Sequence, residues 1–500
     1  MTQCYWSRLR RWMVAAILLA LYGVQVWRAN WTGDFWEHSA AITAMIQAPL
    51  RPQHPSMAMD APHFFFSPYS LALACVARWV GVGSIAVLAF AGGMNLLLIL
   101  YGAWRIIKRL GWAQPTRVWF YVLACWLFLW GQDAWQYSSF LHFGVLFRVL
   151  PYPSSFAIGG TLWILSVNWS QTSRWWLAGA GIVASVILLC HPLTLLLLCA
   201  GLVGFYIDGL GSSRDPFVVI LIPVVALGLA LCWPYFPIWH LLPGIGDAAG
   251  AYTESNFILY QGLLKRTWPV WVGAPLLFRG ARFKGGQHAI LVSIVLLFAV
   301  WTVGWVFRLA VLGRSIAFGL MLLQMLLAER LGVYEAVVCD AERASRTRLT
   351  AGAIILLVVL TGLGASHGLV LHQLQIWYRA PVPLHQRVEI ALSDVPQHAV
   401  VLADHYTATL IPTFGFKTVA GRFPQAFIPD HAERVAAVMS VFGDESDIAL
   451  LETVRERWNV THILVNRERV QVPPAAVLSG WQKVFVENGL VLYQWTGDAT

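Results

Sequence analysis

Two carboxylates and one imidazole lie close together in residues 33–38, directly after the first long apolar segment. Asp34 and Glu37 are three residues apart, so a helix would present both on one side, with His38 alongside. A carboxylate can take the proton of an attacking hydroxyl group, and the three side chains together are potential metal ligands. Charge buried beside lipid needs partners or a substrate to stabilise it. We therefore treat Asp34 and Glu37 as candidate catalytic residues and His38 as a candidate substrate contact.

A structural role explains the same residues. Asp34 could be the N-cap of the following helix, with Glu37 at its third position, which is the arrangement of a capping box. The capping and catalytic roles are compatible with each other.

Two arginines point to an anionic substrate group. Arg308 and Arg314 lie at the predicted outer ends of two spans, whereas the other basic residues favour the inner side. The arginine fork matches phosphate oxygens, so a phosphorylated lipid headgroup is the expected partner. Snorkelling to the interface, or a salt bridge with Asp247 or Glu254, explains each arginine equally well.

Further candidate contacts lie in predicted outer loops. His63 and Tyr69 belong to the proline-rich and aromatic first loop, where the aromatic rings are expected to anchor the interface and could also stack on sugars. Asp133 is an acid of the second outer loop. His191 is a polar group between two apolar segments and could line a cavity.

Composition determines the protein class. The chain is 58% hydrophobic and 12% charged, with 26 Trp, which indicates an α-helical polytopic membrane protein. Residues 1–380 carry 25 Lys and Arg against 12 Asp and Glu. We interpret this excess as membrane topology and expect no nucleic-acid partner. None of the seven cysteines lies in residues 381–500, and their spacing encodes neither a disulfide framework nor a metal site.

Apolar segments predict about 11 transmembrane helices, the first with its N-terminus in the cytoplasm. The basic loops then fall inside, provided that residues 66–80 form an interfacial helix rather than a span. The predicted spans cover residues 12–27, 84–104, 118–132, 155–169, 175–190, 193–208, 217–240, 268–279, 289–307, 315–331 and 350–370.

The last part of the chain has the pattern of a soluble α/β domain. We predict a strand at 399–403, helices at 431–441 and 447–458, a strand at 460–465 and a hairpin at 481–495. Asp430 is expected to cap the first of these helices. The chain thus divides into a transmembrane domain, residues 1–380 with a first outer loop at 28–83, and an extracytoplasmic domain, residues 381–500.

This arrangement resembles the GT-C superfamily of polytopic glycosyltransferases. The likeness rests on the acid-rich first loop, the juxtamembrane stretch that begins at Ser67, the alternating spans and the outer C-terminal domain. It implies a hexosyltransferase that uses a polyprenyl-phosphate-sugar donor and a glycan, lipid or protein acceptor. It also implies that Asp34 is the base and that Arg314 binds the donor phosphate. Asp133 is the nearest counterpart of the second acid that the superfamily often has.

The resemblance also sets expectations about cofactors and location. No metal is required if arginines stabilise the phosphate, although a divalent ion is compatible with the chemistry. The expected location is the bacterial inner (plasma) membrane, in cell-envelope glycan synthesis.

Two other function classes stay open. A transporter or flippase of lipid-linked sugars would place ionisable groups at the bilayer midplane in two repeated halves, and the sequence shows no such repeat. A non-catalytic membrane scaffold for cell-envelope assembly would keep the spans without needing the acids.

Overall fold

The computed structural model describes residues 2–168, 174–209, 216–241, 256–278, 286–339, 345–378, 382–397, 399–423, 425, 427–443, 447–473 and 477–497. The chain forms two compact units. The helical unit comprises Met1–Trp27, Ala91–Trp233 and Tyr252–Arg379, and the mixed unit comprises Arg28–Phe90, Pro234–Ala251 and Ala380–Thr500. The mixed unit thus contains both the predicted first outer loop and the predicted C-terminal domain. The domain boundary at residue 380 stays a prediction.

Helices dominate the first 380 residues. The helices are α1 Thr2–Arg28, α2 Phe35–Gln47, α3 Pro68–Val80, α4 Ser84–Arg109, α5 Pro115–Phe128, α6 Phe143–Val149, α7 Pro153–Leu165, α8 Arg174–Cys190, α9 Pro192–Asp208, α10 Pro216–Leu231, α11 Leu263–Gly273, α12 Pro275–Phe278, α13 Gly286–Val306, α14 Ser315–Cys339 and α15 Ser345–Tyr378. Short 3₁₀ turns lie at Ile238–Leu241, Ile258–Tyr260 and Ala310–Arg314.

Five of the described helical segments are long and apolar enough to cross a bilayer. They are Leu9–Arg28, Ser84–Arg109, Gly286–Val306, Ala310–Cys339 and Thr347–Tyr378. Four shorter apolar helices of 10–17 residues accompany them, at Pro153–Leu165, Trp175–Cys190, Pro192–Asp208 and Phe217–Leu231. The chain is therefore an integral membrane protein, but the predicted count of about 11 spans is not confirmed. One predicted span, 217–240, ends as a helix at Leu231.

Close helix packing defines the helical unit. Helix α14 is buried along most of its length and packs against α5, α13 and α15. Helix α9 approaches α13 at Gly204, where a Cβ atom would overlap the carbonyl oxygen of Ala289 and the hydroxyl of Ser293. Small residues at such crossings let two backbones meet, which is how helices associate in lipid.

The mixed unit is built on a five-stranded sheet of order β2-β1-β3-β5-β4. Its strands are β1 Val400–Ala403, β2 Lys417–Thr418, β3 Val460–Asn466, β4 Trp481–Glu487 and β5 Leu490–Trp495. Strands β2, β1 and β3 are parallel, and β5 and β4 continue the sheet antiparallel. Helices α16 Leu384–Ala391, α17 His405–Ala408, α18 His431–Val441 and α19 Ile448–Trp458 and the 3₁₀ turn Ile411–Phe414 complete the unit.

The predicted elements of the C-terminal region are confirmed. Helix α18 and the β4–β5 hairpin have the predicted bounds, and α19, β1 and β3 each differ from their predictions by one residue. Asp430 lies at the N-cap of α18, but its side chain makes no capping hydrogen bond, so that prediction is wrong. Apolar side chains of α18 and α19, among them Val438 and Leu451, pack on Leu402 and Ile463 of the sheet. The sequence did not predict α16, α17 or the two-residue strand β2.

The first outer segment packs within the same unit as the sheet. Residues 68–80 form a helix, as predicted for 66–80, with Ser67 as its N-cap: the Ser67 hydroxyl accepts from the backbone N–H of Ser70 at 3.2 Å. Helix α2 contacts the 3₁₀ turn 411–414, where the Thr43 hydroxyl donates to the carbonyl of Thr413 at 2.9 Å. Strand β2 meets the proline-rich loop, because the Thr418 N–H donates to the Ser56 carbonyl at 2.7 Å.

Candidate functional site

Helix α2 carries the acid cluster, but its first turn is not a capping box. Asp34 occupies the N-cap position with φ −65° and ψ −8°, and its side chain makes no capping hydrogen bond. An N-cap side chain reaches the first N–H groups from extended backbone, and the helical backbone at Asp34 does not provide that geometry. The capping interpretation of Asp34 and Glu37 is therefore wrong. Asp34 is half-buried, and its charge acts on Glu37.

Glu37 is the most enclosed of the candidate acids, with only 4% of its surface exposed. The Gln425 amide donates to both of its carboxyl oxygens, at 3.2 and 3.4 Å. Burial raises the pKa of Glu37 to about 8; the Gln425 hydrogen bond opposes this rise, and the Asp34 charge adds to it. Glu37 is consequently protonated at neutral pH, where it can donate a hydrogen bond but cannot accept a proton.

Two buried histidines complete the surroundings of Glu37. His63 Nε2 lies 3.8 Å from Glu37 Oε2, and the rings of His63 and His54 are 5.0 Å apart. In each ring Nδ1 accepts a backbone N–H, from Phe65 at 3.2 Å and from Met57 at 3.1 Å, so that Nε2 must carry the proton. Burial lowers the pKa of His63 to about 3. Both imidazoles are therefore neutral donors next to a neutral acid.

Lys417 of strand β2 fixes the loop that carries these histidines. Its buried ammonium donates to the carbonyls of His54 at 2.6 Å and Pro55 at 3.3 Å. Burial lowers the pKa of Lys417 to about 8. Neither Lys417 nor Gln425 was predicted as a site residue. A lone Lys and a lone Gln in a C-terminal domain give no sequence signal that ties them to the first loop.

The other candidates of the first loop lie in the same unit. The His38 ring packs on the Phe65 ring at 4.0 Å between centroids, and Tyr69 is buried in α3. Asp34, Glu37 and His38 were suggested as metal ligands. Within the described ranges no three His, Cys, Asp or Glu side chains converge as a metal site.

Arg314 belongs to the helical unit, where polar and aromatic groups orient its guanidinium. Its Nη1 donates to the Ser138 hydroxyl at 2.8 Å and its Nε to the Asn256 amide oxygen at 3.2 Å, and Cζ lies 5.1 Å from the Tyr137 ring centre. Asp247 and Glu254, the alternative salt-bridge partners, lie outside the described residues. Ser138, Asn256 and the Tyr137 ring thus orient the guanidinium of Arg314.

The remaining candidates also belong to the helical unit. Asp133 is exposed and forms a 2.5 Å ion pair with Lys265, and the hydrogen bond from Lys265 lowers its pKa. Arg308 is exposed between α13 and the 3₁₀ turn, in the left-handed region at φ +54°. His191 precedes α9, where its Nδ1 is 2.7 Å from the Thr194 hydroxyl. Asp133 thus has a strong lysine partner, which the sequence did not reveal.

Solved structures resemble this chain over almost its whole length. The crystal structure of ArnT from Cupriavidus metallidurans in the apo state matches with a TM-score of 0.55 and 12% identity, over 96% of this chain and 97% of that chain. The crystal structure of ArnT from Cupriavidus metallidurans bound to undecaprenyl phosphate matches with a TM-score of 0.54 and 13% identity, over 97% of this chain and 98% of that chain. A third match is the archaeal oligosaccharyltransferase AglB from Archaeoglobus fulgidus in complex with an inhibitory peptide and a dolichol-phosphate. Its TM-score is 0.51 and its identity 14%, over 93% of this chain and 70% of that chain.

No protein-family model and no curated protein sequence matches the chain. At identities of 12–14%, the structural likeness is evidence for the fold and not for a particular substrate. The resemblance noted in the sequence is confirmed at that level: the chain has the fold of the GT-C glycosyltransferases.

Proposed function

We propose that this protein is a membrane glycosyltransferase that moves a hexose from a polyprenyl-phosphate-linked donor to an extracytoplasmic acceptor, in the bacterial inner membrane. The GT-C fold supports a glycosyltransferase. The undecaprenyl phosphate in ArnT and the dolichol-phosphate in AglB support a polyprenyl-phosphate carrier. The observation that carries the proposal is the buried carboxyl of Glu37, which Gln425 and His63 surround. A fold needs no such group for stability, because burying an ionisable group costs free energy.

Asp34 and Glu37 receive different roles because their environments differ. Asp34 is half-buried and serves as the base that takes the proton of the acceptor hydroxyl. Glu37 keeps its own proton up to about pH 8, so it serves as a hydrogen-bond donor to a substrate oxygen. Two carboxyl groups in different environments can divide acid and base work between them.

The reaction is a single displacement with inversion. The acceptor oxygen forms a bond to the anomeric carbon while the bond from that carbon to the phosphate oxygen breaks. The polyprenyl phosphate leaves with the electron pair, and Asp34 takes the hydroxyl proton. Arg314, with Arg308, stabilises the negative charge on the departing phosphate. Ser138 and Asn256 hold the Arg314 fork in one orientation, which lowers the entropy cost of binding.

The test uses the full chain in nanodiscs with a panel of radiolabelled polyprenyl-phosphate hexoses. Removing a general base costs about 10²–10⁴-fold in rate, so we expect that loss in Asp34→Asn with donor binding intact. Arg314→Ala should weaken donor binding. Arg51→Ala is the control, because Arg51 forms an exposed ion pair with Asp60 in the same first loop.

Two outcomes would contradict this assignment. Near-normal transfer by Asp34→Asn would remove Asp34 from the role of base. Failure of the wild-type protein to bind any lipid of the panel would remove the donor class and favour a transporter of other cargo or a scaffold.

A further inference from the structure

One edge of the sheet in the mixed unit collects positive charge. Strands β1, β2 and β3 are parallel, so the chain leaves all three at the same edge. We call this the carboxyl edge and define it as residues 404–406, 419–423 and 467–469. Ligands of open parallel sheets bind at the carboxyl ends of the strands, where the loops diverge.

Two arginines and one tyrosine form the centre of the carboxyl edge. Arg422 Cζ lies 4.6 Å from the centre of the Tyr406 ring, and Arg469 Cζ lies 4.3 Å from it. All three side chains are exposed, Tyr406 by 47%. Because both guanidinium groups lie near the same ring, they also lie near each other. Like charges this close repel each other, and one bound anion would relieve the repulsion.

Two acids belong to the carboxyl edge. Asp404 Oδ1 accepts the backbone N–H groups of residues 406 and 407 at 3.1 and 3.3 Å, whereas its buried Oδ2 has no hydrogen-bond partner among the described residues. Glu468 accepts a two-pronged interaction from Arg387, at 2.7 and 2.9 Å, although its charge also acts on Arg469. In the part of the chain that the structure describes, neither Arg422 nor Arg469 forms a salt bridge. Their forks therefore face solvent with hydrogen-bond donors to spare.

The carboxyl edge is continuous with the surroundings of Glu37. Gly421 directly precedes Arg422, and a Cβ atom at Gly421 would lie 3.9 Å from Glu37 Oε1. The same loop supplies Gln425, whose amide contacts the Glu37 carboxyl. The Arg422 N–H is also fixed, by the Thr409 hydroxyl at 3.4 Å. The loop that carries Arg422 thus also borders the carboxyl group assigned to the reaction.

We infer that the carboxyl edge binds an anionic group of the acceptor, a phosphate or a carboxylate on a glycan or lipid headgroup, through Arg422 and Arg469. This inference rests on the proposed transfer reaction and extends it by naming the chemistry of the acceptor. The arginine fork is complementary to both anions. The donor phosphate is assigned to Arg314 instead, so the edge is left for the second substrate.

The experiment measures binding and needs no turnover. Full-length protein in nanodiscs is titrated with glucose 6-phosphate, glucuronate and neutral glucose by calorimetry. The wild-type protein should bind at least one of the two anions and bind glucose at least about tenfold more weakly. In the double variant Arg422→Ala/Arg469→Ala, the anion should bind at least about tenfold more weakly than in the wild type.

Arg455→Ala is the matched control, since Arg455 also lies over an aromatic ring, that of Trp495 at 4.4 Å, but away from the carboxyl edge. This variant should bind the anion as the wild type does. If the protein prefers glucose 6-phosphate, the anionic group of the acceptor is a phosphate. If it prefers glucuronate, the group is a carboxylate. Either result supports the site. Equal affinity for glucose and both anions, or unchanged anion binding in the double variant, would overturn it.

Different results would reject the anion site and the proposed transfer reaction. Donor lipids that still bind through Arg314, with no anion binding at the carboxyl edge, would reject the acceptor site alone. Anion binding that depends on Arg422 and Arg469, in a protein that binds no donor lipid, would keep the anion site and reject the transfer reaction.

Discussion

At the scale of single residues, the protonation of Glu37 makes stability depend on pH. Burial raises its pKa from 4.5 to about 8. As pH rises through this interval, the unfolded chain loses a proton that the folded chain retains, so the stability falls. Burial lowers the pKa of His54, His63 and other histidines of this unit, so the protons that the unfolded chain loses around pH 6.5 raise the stability. The lowered pKa of Lys417 has the same effect above about pH 8. The contribution of Glu37 is therefore the difference between the wild type and Glu37→Gln.

Between pH 6.5 and 8, we expect the free energy of unfolding of the wild type to change by about 2 kcal/mol in the destabilising direction relative to that of Glu37→Gln, since one pKa unit corresponds to about 1.4 kcal/mol. The variant lacks this contribution, because the amide keeps the shape and cannot ionise. Glu487→Gln removes an exposed carboxyl on β4 and should preserve the wild-type slope. Chemical denaturation at the two pH values measures the difference. An unchanged slope in Glu37→Gln would show that its pKa is not raised.

The sequence displays the acids of the candidate site but not their environment. Asp34 and Glu37 were recognisable from their spacing and from their place after an apolar segment. Gln425 lies 388 positions from Glu37 in the chain, and no local pattern reports such a contact. The prediction of a capping box was wrong for a related reason. The backbone angles at Asp34 depend on how α2 packs in the folded protein, and not only on the local preference for a helix start.

At the scale of elements, Gly204 sets the distance between α9 and α13. Gly204→Ala would place a methyl group against Ala289 and Ser293, and such overpacking costs about 1–3 kcal/mol. Thermal unfolding in nanodiscs should show a lower transition temperature for this variant. Gly228→Ala is the control, since nothing lies within 4 Å of its Cβ position in α10. Alanine there should stabilise the helix by about 0.5–1 kcal/mol.

A stability gain in Gly204→Ala, like the gain expected in Gly228→Ala, would mean that the α9–α13 crossing is not tight. The contrast between them depends on tertiary contact, which the sequence does not display, because both glycines lie within apolar helices.

The elements of the C-terminal region were easier to predict. Helix α18 has apolar residues at helical spacing and β3 contains a short apolar run, whereas β2 is two residues long and has no pattern.

At the scale of the whole molecule, one compact unit joins residues 28–90 with the end of the chain. The two segments contact each other, for example where Lys417 donates to the carbonyl of His54, so both must lie on the same side of the membrane. The predicted topology meets this requirement, because it places the first loop and residues 381–500 outside. The number of crossings between them must then be even, whatever the exact number of spans.

This topology gives the last prediction. In a variant with all seven cysteines replaced by alanine, a single cysteine is returned at exposed positions 456 or 108, as Glu456→Cys or Lys108→Cys. A membrane-impermeant maleimide should label Glu456→Cys in intact spheroplasts, because α19 lies in the predicted outer domain. It should label Lys108→Cys only after permeabilisation, because basic residues at the end of α4 favour the cytoplasmic side. The reverse pattern would place Glu37 and the carboxyl edge in the cytoplasm, and the proposed extracytoplasmic acceptor would have to be abandoned.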